Sequence, residues 1–494
     1  MEKTFFGHPR GLATLFFTEM WERFSFYGMR AILILFMVGE TAKEGLGLDT
    51  ETAGAAYGLY TAAVYLLALP GGRIADTLIG QRKAIFYGGI LIMIGHGILA
   101  IPAGPGVFFA GLAFVALGTG FLKPNISSLV GTLYGDDKGA RRDAGFSIFY
   151  MSINLGSFIG QILVPVAASY NWHLGFGLAA IGMFFGLVYF KMTEDQNFGS
   201  LGLAPEKSAS SIIESDQKKD LLKYIIPSVL VLILVTLQMT GQIDIGSIVG
   251  VAEAMKYVIV LVAVFYFAYV LFAGGLDGEE FKKVLVIILL FIGGATFWSG
   301  FEQAGSALNI FAQDWTNRNI LGTVLPAGTL QSANSGFIII FAPIMGALWV
   351  WLAKRNLNPR TPIKFAIGLV LLGLGFLVMV SAAQIAAAGA KAGMFFLILT
   401  YFFHSIGELC LSPVGLSSMT KLSPTRYVGQ MMGLWFVATA LGNLIAGTFA
   451  GNFDPSNVGQ MPDLFWVFVK LPVGVALIFV AVSPIVNKWM KEVH

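Results

Sequence analysis

The first apolar run of this chain carries five residues that hydrocarbon does not tolerate: Glu19, Glu22, Arg23, Tyr27 and Arg30. Their spacing, i, i+3, i+4, i+8 and i+11, places all five on one face of a helix. At 1.5 Å per residue the stripe runs roughly 16 Å, about half the hydrocarbon core of a bilayer. A stripe of this kind cannot face lipid, so the helix must line a hydrated cavity. The other reading of the stripe is an ion-pair network that fixes helices together, and the two roles can coincide. Three more apolar segments carry a charge. Lys123 is followed by Pro124 and Asn125, which predicts a helix break and freed carbonyls there. Glu302 lies in FWSGFEQAGSALN (297–309) and Glu408 in HSIGELCLSPVG (404–415). Charge at membrane depth is costly unless paired or hydrated, so each of these groups is a functional candidate. Four acids (Glu19, Glu22, Glu302, Glu408) stand against three bases (Arg23, Arg30, Lys123), which leaves one carboxylate without a fixed partner. A buried carboxylate without a cation can be neutralised by a proton instead, and that suits it to carry one. The bases of the first half and the lone carboxylates of the second give the cavity a dipole. Arg30 and Lys123 would hold an anionic group, and Glu302 or Glu408 a cationic one, as the two ends of a zwitterion require. Glu302 could also pair with Arg30 or Lys123 across the cavity. Tyr27, Tyr65, Trp298 and Trp435 would supply apolar walls with polar tips. In a chain that is 13% aromatic, each is equally readable as membrane packing.

The elements that must position these groups are membrane helices. Of 494 residues 56% are hydrophobic, only 12% are charged, and mean hydropathy is +0.76; a soluble protein carries about 25% charged residues. Composition therefore excludes a soluble globular chain, a disordered one and a nucleic-acid binder. The net charge of +3 is too small to mark a polyanionic partner. A single cysteine, Cys410, allows no internal disulfide and no thiolate cluster. The first run lacks a cleavage site and is long enough to span, so it is expected to remain in the protein. Runs of spanning length fall near 11–38, 53–79, 84–102, 107–131, 144–169 and 174–192, then 222–242 and 254–275. They resume at 284–312, 328–353, 362–387, 393–421, 427–450 and 464–487. The expected fold is an all-α polytopic membrane protein with twelve core helices in two six-helix bundles and two inserted helices, fourteen in total. Its parts would be an N-terminal bundle (1–192), a polar linker (193–221), an inserted hairpin (222–283) and a C-terminal bundle (284–494). Arg23, Arg30 and Lys123 lie inside segments, and Lys43, Lys256, Arg318, Lys391 and Lys470 on the far side. All other Lys and Arg collect on the side of both termini, which places the termini in the cytoplasm.

Two resemblances follow from quoted motifs. GGRIADTLIGQRKA (71–84) resembles the loop signature of the major facilitator superfamily at Gly72, Asp76, Gly80, Arg82 and Lys83, and a basic loop (Lys354–Lys364) recurs at the matching place in the second half. The superfamily's two halves are pseudo-repeats around a central cavity. EMWERFSFYGMRAIL (19–33) is similar to the helix-1 motif of proton-dependent oligopeptide transporters. FLKPNISSLVG (121–131), FYMSINLGSF (149–158), SGFEQAGSALN and GELCLSPVGLS resemble that family's segments in core helices 4, 5, 7 and 10. The likeness spans essentially the whole chain, including the two-helix insertion of bacterial members.

What the family resemblance implies is a symporter of di- and tripeptides driven by protons, working by alternating access in the bacterial plasma membrane. Glu19, Glu22 and Arg23 would link proton movement to substrate, and Glu302 would be a proton and gate site. Arg30 and Lys123 would receive the peptide carboxylate, Asn154 the peptide backbone, and Asn334 with Glu408 the amino terminus. Tyr27, Tyr65, Trp298 and Trp435 would form the pocket wall. Animal members carry a histidine after a tyrosine in helix 2; here Tyr57 is followed by Gly58, so proton transfer would lean on carboxylates. His404, one turn before Glu408, would either tune it or simply pack. Protons are the coupling ion; no other cofactor, no metal, no nucleic acid and no obligate protein partner is expected beside peptide and lipid. Three rivals stand beside this reading: a carrier of another small anion or zwitterion such as nitrate or an amino acid, a membrane hydrolase, and a channel. Plant relatives that move nitrate tend to lose the helix-1 carboxylates kept here. A hydrolase would need an acid beside His404 and Ser405 or Ser412 other than Glu408, and a channel would trap ions on fixed opposite charges.

Overall fold

The computed structural model describes residues 4–135, 139–204, 244, 246–453 and 457–490. Among them are thirteen long helices: α1 (Gly11–Val38), α2 (Thr50–Ile79), α3 (Gln81–Leu99), α4 (Pro105–Thr132), α5 (Ala140–Tyr170) and α6 (Trp172–Phe198) form the first half. α7 (Ile248–Ala273) precedes the second half, which comprises α8 (Gly278–Asp314), α9 (Ala327–Lys354), α10 (Thr361–Ala387), α11 (Phe395–Leu422), α12 (Val428–Ala450) and α13 (Met461–Trp489). Twelve of them are long and apolar enough to cross a membrane. The remaining one is α1, whose polar stripe disqualifies it on composition although it is almost wholly buried. The expected helix at 222–242 and most of the linker at 193–221 lie outside the described residues.

Three boundaries differ from expectation. α6 continues to Phe198, past the expected end at 192, because the buried Arg82 engages the charges of that stretch. Its Nε lies 3.2 Å from Glu194, its Nη1 donates to the Gly199 carbonyl at 2.9 Å, and its Nη2 pairs with Asp195. Gly80, at φ +81°, makes the turn that presents Arg82. α8 starts at Gly278, where Asp277 and Glu280 form a capping box, so 278–283 belong to this helix and not to the insertion. α4 runs unbroken through Pro124. Asn125 Nδ2 donates to the Phe121 carbonyl at 2.7 Å, one position past the Gly120 carbonyl that Pro124 leaves without its N–H donor.

Glycine decides how closely the helices approach. Gly156 and Gly160 of α5 face the backbone of α1; a Cβ on Gly160 would stand 2.9 Å from the Phe24 Cα. Gly54 and Gly58 of α2 meet Gly447 of α12 and Gly451 just past its end in the same way, joining the two halves; a Cβ on Gly58 would lie 3.2 Å from the Gly447 Cα. Small residues four apart permit such backbone contact, and dispersion at that distance holds membrane helices together. The α2–α12 seam lies toward the end away from the termini. That end is closed further by Asn309 Nδ2 donating to the Ala31 carbonyl at 2.8 Å and by the Ser335 hydroxyl, 2.7 Å from that of Ser157. Beyond it two-residue strands pair Thr316–Asn317 parallel with Ala392–Gly393, and Asn319–Ile320 antiparallel with Thr323–Val324.

Candidate functional site

The glycine contact with α5 turns the opposite face of α1, the polar stripe, toward the centre. Glu19, Glu22, Arg23 and Arg30 are all buried there. Arg23 Nε stands 2.7 Å from Glu19 and 2.6 Å from Glu22, so one guanidinium serves both carboxylates. The same guanidinium lies 5.5 Å from the Phe26 ring centre, and Arg30 lies 4.9 Å above Tyr27. These aromatic faces stabilise cations that water does not reach.

Across the cavity α8 changes pitch: its α-helix ends at Phe301, a 3-10 turn covers Glu302–Gly305, and the helix resumes at Ala307. The turn presents Glu302, which forms a 2.6 Å ion pair with Arg30 Nη1. Of the two pairings open to Glu302, the one with Arg30 is made. Gly305 leaves room for it: a Cβ there would be 3.4 Å from Arg30 Nε and would collide with the Tyr57 hydroxyl.

Two charged groups are left over. Lys123 on α4 and Glu408 on α11 make no ion pair within 4 Å among the described residues, and both are half-buried. Lys123 Nζ sits 4.0 Å above the Tyr65 ring. Glu408 is flanked by Asn334 and Tyr150. Asn334 is oriented by donating to the Ser405 hydroxyl at 2.8 Å, and Asn154 Nδ2 donates to the Tyr150 carbonyl at 3.1 Å. The carboxylate left without a cation is thus Glu408. The halves face each other with a free cation on one wall and a free carboxylate on the other.

The aromatic candidates divide. Tyr27, Tyr65 and Trp298 remain partly exposed, Trp298 edge-on to Phe301 at 5.2 Å. Trp435 is buried, packed against Gly294 and Gly415 and edge-on to Phe365, which is a packing position inside the second half. His404 is buried on the Phe376 ring at 5.0 Å and approaches the Leu372 backbone on the neighbouring helix. Nothing in the sequence singled out Tyr150, Gln161 or Gln331, which the fold brings to the same centre. Tyr150 stood inside the quoted FYMSINLGSF motif, four residues before Asn154 and therefore on its face, and that spacing was the available signal.

The chain matches the model of the POT family over residues 82–467. It is 40% identical over 492 residues to the peptide transporter YePEPT of Yersinia enterocolitica, covering 98% of this chain and 96% of that one. It is 38% identical over 489 residues to the di-/tripeptide transporter of Lactococcus lactis subsp. lactis, covering 96% and 97%. A solved structure of a peptide transporter, POT, in complex with sulfate superposes with a TM-score of 0.87 at 40% identity, covering 99% of this chain and 97% of that one.

Proposed function

This chain belongs to the POT family, and from that premise we propose that it is a proton-coupled symporter that takes up di- and tripeptides by alternating access between its two six-helix halves. It works without covalent chemistry, with both termini in the cytoplasm. The names of its relatives support peptide as the substrate. The single observation that carries the recognition step is the pairing pattern: Arg23 is taken by Glu19 and Glu22, Arg30 by Glu302, and Lys123 and Glu408 remain for the ligand. A peptide laid between them neutralises both. Its carboxylate goes to Lys123 and to Arg30, once Glu302 releases that guanidinium; its amine goes to Glu408 beside Asn334 and Tyr150. Asn154 reaches the backbone, and Tyr27, Tyr65 and Trp298 enclose the side chains.

Proton and peptide act on one set of charges. A proton on Glu302 removes its hold on Arg30, freeing the arginine for the peptide carboxylate and loosening a bond between the halves. A proton on Glu22 or Glu19 weakens that carboxylate's hold on Arg23. Each ligand thereby changes the free energy of binding the other, which is what coupling requires.

The recognition step is tested with blocked peptides. N-acetylated or C-amidated dipeptides should compete poorly with labelled dialanine. Glu408→Gln should weaken binding of free-amine peptides roughly 10- to 100-fold, the loss of a charge-assisted hydrogen bond, while N-acetylated ones change little. Equal competition by a doubly blocked dipeptide would refute the assignment.

A further inference from the structure

Beside Arg30 a small, partly enclosed cavity of about 10 Å³ lies between the halves. Arg30, Gln161, Gln331, Asn334, Tyr401 and His404 supply its polar lining, with Phe301 and Ala304 closing it. Several polar atoms of these residues are buried and have no protein hydrogen bond: Arg30 Nε, both amide atoms of Gln331, the Tyr401 hydroxyl and a ring nitrogen of His404, whose ring on its other side approaches the Leu372 backbone. Gln331, Tyr401 and His404 are each only 1% exposed. Gln161 and Asn334 differ, being engaged with Ser335 and Ser405. Buried polar groups without a partner cost free energy, and four such residues converging on one void is not what apolar packing selects.

The size of the void decides what it can take. It has room for about one water, and a buried water makes about three hydrogen bonds, in the range of two to four. A peptide side chain does not fit. We propose that Gln331, Tyr401 and His404 form a binding site for an ordered water that donates to or accepts from each of them and receives the Arg30 Nε–H. All three are positioning residues: they touch neither peptide nor proton, and they act through Arg30. Glu302 holds the guanidinium at Nη1, and the water holds it at Nε. When a proton takes Glu302 away, the water keeps the guanidinium aimed into the cavity, ready for the peptide carboxylate. His404 serves as a hydrogen-bonding group seated on Phe376, and Gly375 leaves the space its ring fills.

This proposal rests on the transport reading, and its test separates the two. Dialanine uptake by the full chain in proteoliposomes is measured for Tyr401→Phe, Gln331→Leu, His404→Leu and His404→Gln, resolving KM from maximal rate. Tyr401→Phe and both leucine variants should raise KM roughly 3- to 10-fold with maximal counterflow within about twofold of the parent. His404→Gln should stay near the parent KM, because its amide restores a donor and an acceptor. A dry packing site gives the reverse order: leucine tolerated, Tyr401→Phe silent, glutamine damaging. That order would overturn the proposal. The melting temperature of Tyr401→Phe reads the site without any transport. It should fall if the hydroxyl is bonded to a water and rise if the hydroxyl is bare, so the water site stands or falls even if dialanine is not the substrate.

Discussion

Arg23 cannot lose its proton, so on α1 it is a permanent positive charge within reach of both Glu19 and Glu22. Its Nε meets both carboxylates at these distances, so neutralising one of them leaves the pair with the other in place. Glu22→Gln should therefore retain binding and peptide-for-peptide exchange, which need no net proton movement, and should lose uphill accumulation under a pH gradient. Counterflow and driven uptake measured side by side check this. A variant that concentrates peptide as well as the parent would make the stripe structural. Glu302→Gln should behave similarly, with an added loss of closure on the far side because Arg30 loses its 2.6 Å partner. Gly305→Ala should mimic part of that loss, since its methyl meets Arg30 and Tyr57. These charged positions were legible in the sequence because a charge in an apolar run has few explanations. Gln331 and Tyr401 were not, because polar and aromatic residues occur throughout such helices. Whether one faces a void depends on helix rotation and on neighbours hundreds of residues away.

At the level of elements, the joint between the halves is made of glycine. Gly54 and Gly58 on α2 face Gly447 on α12 and Gly451 at its C-terminal cap, and nothing in the sequence tells that these two helices meet. Gly447→Leu should hold the seam apart. With Cys410→Ser as background, a cysteine placed at Asn309, buried at the far end, should then react several-fold faster with an impermeant thiol reagent; an unchanged rate would show that the seam closes elsewhere. The buried Arg82 ties the start of α3 to the end of α6, whereas its neighbour Lys83 is exposed. Breaking a buried pair costs about 3–5 kcal/mol when the partner charge is left behind. Arg82→Gln should lower the melting temperature by several degrees, and Lys83→Ala should leave it within error. α7 packs on both α2 and α12, and the chain around it is tied to the second half. Lys256 reaches Thr448 at 3.4 Å, and Arg426 holds Glu280 at 2.8 Å and the Gly275 carbonyl at 2.7 Å. It carries no charge into the cavity, so a chain lacking 205–277 should keep its affinity for dialanine, with any effect confined to turnover. Loss of affinity in a folded deletion would place α7 in the site. Helix number and order were readable from hydropathy. The course of α4 through Pro124 was not, because packing against neighbouring helices lets a membrane helix keep a proline, and spacing does not reveal that packing.

At the level of the whole molecule, two bundles meet along α1–α8, α2–α12 and α5–α9 at the end away from the termini, while Lys123 and Glu408 keep partial exposure. That arrangement fits a carrier closed at the end away from its termini, and reversal of the same contacts would open that end. The central claim is that proton entry drives peptide accumulation, and one measurement meets it directly. Purified protein in proteoliposomes is given labelled dialanine with and without an imposed inward proton gradient. With the gradient, dialanine should rise inside well above its external concentration and collapse on adding a protonophore; without it, the label should only equilibrate. Equal uptake under both conditions, or accumulation that survives the protonophore, would contradict proton-coupled symport.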